Sequence, residues 1–214
     1  MTDTKDKILD TAERLFAEQG SGATSLRQVI SEAGVNVAAV HYHFGSKEDL
    51  LDAVIQRKVA PVNEARLVWL SRLEAEAGDG PLDVERVLEA FLLPMVETAA
   101  ANPDFVRLMG RIFTEGIMPS LFEKHFLVTA MRFIGALKRG APHVSEEEML
   151  WRVHFMIGAV SHTICRAPIF PHVEPSVDAM ELRLRRLVKF VAAGFRASAT
   201  TAGTAPSRRK GKEK

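Results

Sequence analysis

The spacing of its apolar residues constrains this chain more than any other feature: they recur every three or four positions almost throughout, and strand-like alternation never persists. Helices are the elements that gather such a period onto one face, so the predicted fold class is all-α. Punctuation residues divide the pattern. Ile8, Leu9, Ala12, Leu15 and Phe16 form the stripe of a first helix that stops at Gly20. Ser25 caps a short second helix, with Gln28 completing a capping box and Leu26, Val29, Ile30 and Ala33 facing inward, and Gly34 ends it. Asn36 caps a third helix of about two turns, in which Val37, Val40 and Phe44 share one face. Gly45 breaks that helix and Ser46 caps a fourth, which is expected to kink or break at Pro61.

Beyond a loop over 75–83, about five amphipathic helices are expected, separated near 102, 116, 139 and 166, with Pro94 kinking the first of them. The predicted units are a first domain over 1–50, a second over 51–198, and a disordered tail over 199–214. The tail carries five bases and one acid in its last seven residues.

Composition narrows the classes of function. With 47% hydrophobic residues among 214, the chain can bury a substantial core without cross-links. Its one cysteine, Cys165, precludes an intramolecular disulfide framework. The opening MTDTKDK lacks the apolar stretch of a secretory signal, and no run approaches the roughly 20 apolar residues of a membrane span. A cytoplasmic protein with no membrane partner is expected. Residues 1–60 hold seven bases against nine acids, so a grip on nucleic acid would need placed groups, not a general positive field.

Two short helices joined by a tight glycine turn, the second exposing small and polar side chains, suit a helix-turn-helix that enters the major groove. On this reading Ala38 and Ala39 let the helix approach the bases, and Asn36 and His41 hydrogen-bond their edges. Ser25, Tyr42, His43 and Lys47 hold phosphates, with Arg27 beside them on the exposed side of the second helix. The same geometry also occurs in ordinary helical bundles.

The string TSLRQVISEAGVNVAAVHYHFGSKEDLLDAVI, from Thr24 to Ile55, closely resembles the DNA-binding signature of the TetR family. The resemblance implies a homodimer whose two reading helices lie about one helical turn apart, roughly 34 Å, on a near-palindromic double-stranded operator. This chain has Ala38 where the family commonly has glycine and His41 where it commonly has tyrosine, which bears on the sequence of the operator. A wider resemblance, carried by LEAFLLPMVE, RLMGRIFTE, WRVHFMIGA and LVKFVAAGFRA, is to the fatty-acid-responsive PsrA-type branch. It implies a long-chain fatty acid or acyl derivative as effector, with repression relieved by ligand as the usual sense and activation as the alternative.

The residues themselves permit an apolar effector. Phe91, Met95, Met109, Ile112, Phe113, Phe126 and Phe155 are the predicted ligand-binding positions, supported by Leu92, Met131 and Met156. Each is equally an ordinary core residue. Arg111 and Arg132 fall in apolar segments and are candidates to meet a carboxylate. Trp151, His154, Gly158 and Ser161, with Leu182, Leu187, Phe190, Val191 and Phe195 of the last helix, suit a four-helix dimer interface. No catalytic motif, phosphate loop or dinucleotide fingerprint is present, and His41 and His43 are too close in register to share a metal. The expectation is therefore a regulator with no cofactor, no metal and no enzymatic activity. A helical small-molecule carrier that has lost DNA binding is the alternative.

Overall fold

A computed structural model describes residues 4–165 and 177–198, which form eleven helices and no strand. The all-α expectation holds. The connection over 166–176 and the basic tail over 199–214 lie outside the described residues. The first three helices are α1 (Thr4–Gln19), α2 (Leu26–Ala33) and α3 (Val37–His43). Gly34 closes α2 at φ 63°, a left-handed conformation that side-chain-bearing residues adopt at a cost, and its N–H donates to the end of α2. Ser25 Oγ accepts from Gln28 N at 3.2 Å, but the Gln28 side chain turns to donate from Nε2 to Glu32 Oε1 and does not accept from Ser25 N. The capping box is thus half formed, because a carboxylate one turn on competes for the glutamine.

The fourth helix, α4 (Lys47–Ala77), is capped by Ser46 and runs unbroken through Pro61. The expected break is absent. Proline removes one ladder hydrogen bond, but the turns on both sides are held by buried Val59, Val62, Leu70 and Leu73. The predicted loop over 75–83 is correspondingly shorter, since Ala75 and Ala77 remain helical.

Seven helices, not five, follow among the described residues: α5 (Val84–Leu92), α6 (Met95–Ala101), α7 (Pro103–Thr114), α8 (Met118–His125), α9 (Leu127–Gly140), α10 (Glu146–Cys165) and α11 (Val177–Arg196). Pro94 accounts for one of the two extra helices, while Pro103 marks the boundary already expected near 102. Pro94 separates α5 from α6 outright where a kink was expected, and Pro103 opens α7 in the first turn, where its missing N–H costs no bond. α8 is a further short helix.

Two hydrophobic cores result. One joins α1 to α4 with Phe105, Leu108 and Ile112 of α7 and Leu121 of α8, so α7 is part of the packing of the N-terminal helices. The other joins the far half of α4 to α5, α6, α9, α10 and α11. Val37 is a correction: at the first turn of α3 it projects past the core and is 54% exposed, while Val40 and Phe44 are buried as expected.

Arginines tie the helix ends. Arg111 of α7 donates to Ala17 O at 2.7 Å and Glu18 O at 2.6 Å, satisfying carbonyls of the last turn of α1, which has no basic residue of its own there. Arg139 of α9 holds the turn that follows α4, donating to Gly78 O and Gly80 O. Arg152 of α10, buried, donates to Gly194 O, Phe195 O and Ala197 O at the end of α11 while pairing with Glu148 at 2.9 Å.

Candidate functional site

The predicted reading surface is built on α2 and α3. With Val40 and Phe44 turned into the core, Ala38 and Tyr42, one turn apart, fall on the opposite face. Tyr42 is 86% exposed, its ring edge-on to His43 at 5.2 Å. Ser25, Arg27, Asn36, Ala38 and His43 are likewise exposed. The side chains of Ala39 and His41 lie outside what the structure describes.

Two predicted contacts already have partners within the chain. Asn36 Oδ1 accepts from Ala38 N at 3.0 Å, so its oxygen caps α3 and only its amide N–H groups remain to reach outward. Lys47 is half-buried, and its ammonium donates to Ser21 O at 2.9 Å, tying α4 to the loop after α1. The other N–H donors of Lys47 are left for a phosphate.

Five of the nine acids in the first 60 residues pair within that segment, which leaves its net charge as it was but draws those carboxylates onto two arginines. Arg57 gathers Asp10 at 2.8 Å, Glu13 at 2.9 Å and Asp6 at 4.0 Å, and Arg14 is matched by Glu18 and Glu32. Those carboxylates are therefore partly neutralised by neighbours, which a sum over sequence hides.

The second candidate site is a cavity of about 280 Å³ at the seam between the two cores. Val59 and Phe105 of the first core and Phe133, Leu137, Val153 and Met156 of the second all line it. Of the predicted ligand positions, Phe91, Met95, Met109, Phe113 and Phe126 are on its wall, as is Met156. Ile112 is not: it is buried in the first core at 1% exposure, while Met109 and Phe113, on the neighbouring stripe of α7, reach the wall. Phe155 is also elsewhere, 65% exposed and stacked on Trp151 at 5.8 Å, because α10 turns Val153 and Met156 inward instead. Leu92 belongs to the second core and Met131 is exposed. Gly110 permits the closure of the wall, since a Cβ there would lie 3.2 Å from the Cβ of Cys165.

Neither predicted carboxylate partner reaches the cavity. Arg111 is committed to the end of α1, and Arg132 pairs with Glu74 at 2.6 Å on the surface. Sequence reasoning instead missed Arg66, which lines the cavity at 3% exposure. Its Nε donates to Phe91 O at 2.7 Å and its Nη1 to Asn63 Oδ1 at 3.0 Å, and its Cζ lies 4.2 Å from the centre of the Phe91 ring. Burial pulls the guanidinium down to about 10, leaving it charged at neutral pH. A signal for it existed: Val59, Val62, Arg66, Leu70 and Leu73 keep a single helical stripe, so Arg66 occupies a core position.

Contacts lead from this wall toward the N-terminal helices. Lys58, also lining the cavity, reaches Glu13 of α1 at 3.5 Å and hydrogen-bonds Asn102 between α6 and α7. Asn63 donates to His125 O at 2.8 Å, and the His125 ring meets Gln56 Oε1 at 2.8 Å and Asp52 Oδ1 at 3.2 Å near the start of α4.

On the outer faces of α10 and α11, Trp151, Phe155, Leu182 and Phe190 are at least half exposed. Leu187, Val191 and Phe195, expected beside them, are buried in the second core, since their i, i+4, i+8 spacing places them on the inward face of α11. Among the described residues no group of three or more His, Cys, Asp or Glu is placed to hold a metal, and no helix is long and apolar enough to cross a membrane.

Two family models match the chain: "Bacterial regulatory proteins, tetR family" over residues 8–54, and "Tetracyclin repressor-like, C-terminal domain" over 89–194. The chain is 31% identical to the HTH-type transcriptional regulator AcrR of Shigella flexneri over 111 residues, 52% of this chain and 48% of that protein. It is 28% identical to the HTH-type transcriptional regulator YerO of Bacillus subtilis (strain 168) over 188 residues, 85% of this chain and 61% of that one. The matched parts thus span less than two thirds of either relative. A tetR family transcription regulator from Shewanella sp. PV-4 shares the fold, with a TM-score of 0.64 at 20% identity over 90% of this chain and 96% of that one. With the two family models together taking in more than two thirds of its length, the chain belongs to the TetR family of bacterial regulatory proteins.

Proposed function

We propose that the protein is a homodimeric, sequence-specific transcriptional regulator that places α3 of each copy in the major groove of a near-palindromic operator and is released by a small apolar ligand. The observation that carries this reading is the position of the cavity: its walls include α4 and α7, the two helices that also build the core under the reading surface. A ligand that spreads this wall moves α7, which holds the end of α1 through Arg111. Ligand and operator then weaken each other by the same factor, and a useful switch needs a coupling on the order of 1 to 3 kcal/mol.

Dimerisation is supported by the exposed apolar ridge of Trp151, Phe155, Leu182 and Phe190, which a second copy would cover in an isologous interface. The effector class we favour is a long-chain fatty acid or acyl derivative, on the PsrA-type resemblance and on the apolar lining of phenylalanine and methionine. Repression is the favoured sense, and a reporter placed behind the operator distinguishes it from activation by whether transcription rises or falls when the protein is removed.

The test is selection of bound duplexes from a random pool by purified, delipidated protein at about 0.1 M salt, where nonspecific attraction is weakened. Enrichment of a near-palindrome, and its release by added fatty acid, is the expected result. A protein that binds fatty acid yet enriches no DNA sequence would instead be a helical carrier.

A further inference from the structure

The cavity wall carries two cations, and they differ in how they are compensated. Lys58 has the Glu13 carboxylate at 3.5 Å and the Asn102 side-chain oxygen. Arg66 is more deeply buried and has no carboxylate partner among the described residues; its acceptors, Phe91 O and Asn63 Oδ1, are both neutral. Arg152 shows what this fold supplies elsewhere to a comparably buried guanidinium: a carboxylate at 2.9 Å together with three helix-end carbonyls. A buried charge is costly unless paired, and a guanidinium offers five N–H donors, of which Arg66 uses one on Nε and one on Nη1. The uncompensated charge thus stands on the wall of an otherwise largely apolar hollow that has room for a ligand.

We propose that Arg66 is the anchor for a carboxylate, so that the effector is a free monocarboxylic acid bound with its charged head inside the cavity and its apolar body against the phenylalanines and methionines. This rests on the apolar-effector reading above and narrows it. A carrier thioester of the same acid lacks the free carboxylate, and with its acyl head at the buried Arg66 its large polar carrier would have to fit within about 280 Å³ beside it. The downward pull of burial on the guanidinium agrees, since a bound carboxylate is the kind of neighbour that would reverse it. Because Nη1 is held by Asn63, whose amide also holds His125 O, a head group on Arg66 bears directly on the α4–α8 contact.

The experiment compares matched acids and esters on the delipidated full chain by calorimetry: dodecanoate, palmitate and 4-phenylbutyrate, each against its methyl ester, below micellar concentrations. The expected result is that the best-fitting acid binds roughly tenfold to a hundredfold more tightly than its ester, as a hydrogen bond to a charged partner warrants. In Arg66→Met the acid falls to the ester's affinity while the ester is unchanged, which shows the cavity intact, and Arg66→Lys restores part of the preference. Should Arg66→Met fail to fold, the acid-to-ester ratio of the wild type and of Arg66→Lys still decides. Equal binding of acids and esters by the wild type, or a preference retained in Arg66→Met, overturns the carboxylate anchor but leaves the apolar-effector reading standing. Binding of none of the six by a protein that holds its operator overturns both.

Discussion

The two ends of this molecule use the same kind of side chain to opposite effect. Around α1 to α4, the apolar stripes meet complementary stripes: Ile8, Leu15, Phe16, Val40, Leu50 and Val54 are almost completely buried. What is left outside is a short helix that presents Ala38 and Tyr42. In the middle of the bundle, by contrast, Phe91, Met95, Met109, Phe113 and Phe126 line a hollow that the surrounding helices do not fill. Protein interiors are normally packed to crystal density, so an apolar gap of this size is stabilising only when something occupies it. A filled core makes a rigid platform for the proposed reading helix, and an unfilled one leaves room for the proposed ligand.

The most severe way to break that comparison is at the reading face. Tyr42→Ala should lower operator affinity by roughly tenfold to a hundredfold, the value of a hydrogen bond to a charged phosphate, and leave the melting temperature and ligand affinity unchanged. A loss of ligand binding in that variant would mean that the two ends are not separable. Filling the hollow tests the other end: Ala130→Leu puts methyl groups into the cavity and should weaken ligand at least tenfold without lowering the melting temperature or operator affinity.

The link between the ends comes next. Arg111→Ala removes two hydrogen bonds to the last turn of α1 and should cost about 2 to 3 kcal/mol on chemical denaturation. It should also reduce the ligand-induced change in operator affinity, and a full response in this variant would route the coupling through α4 alone. Ser25→Ala deletes the cap of α2 and should cost about 1 kcal/mol in the same assay.

The smallest effect is one of acidity. Burial alone would raise the Asp52 carboxyl, but hydrogen bonds from Lys124 and His125 outweigh it and hold it below its ordinary 3.8. A depressed acid stabilises the fold above its ordinary value and loses that contribution as pH falls through the folded one. Protection of the α8 amides, taken relative to their intrinsic exchange rates, should therefore fall as the pH is taken below 3.8, and Asp52→Asn should remove that dependence.

Much of the site was legible because it depends on local rules. The caps at Ser25, Asn36 and Ser46 and the stop at Gly34 act within a few residues, and each appears where the chain signals it. The faces of α10 and α11 were less legible. Leu187, Val191 and Phe195 share a helical stripe, but only the presence of α5 and α10 on that side decides that the stripe is spent on the monomer's own core. Phe155 was assigned to the cavity for its chemistry, and the rotation of α10 turned it outward. Pro61 has the local signature of a break, and packing on both sides of it kept the helix whole.

By itself, the sequence determined the all-helical class, the caps of α2, α3 and α4 and the buried stripe of α1, since these follow from periodicity and from interactions over one or two turns, while the family was legible in the string from Thr24 to Ile55. Tertiary structure alone decided which apolar residues close into a core and which surround empty space, because that depends on how surfaces from five or more helices fit together. It also decided the partners of the arginines. Arg111 and Arg152 each satisfy carbonyls at another helix's end, while Arg66 faces the cavity without a counter-charge, and only the long-range meeting of helices makes that distinction.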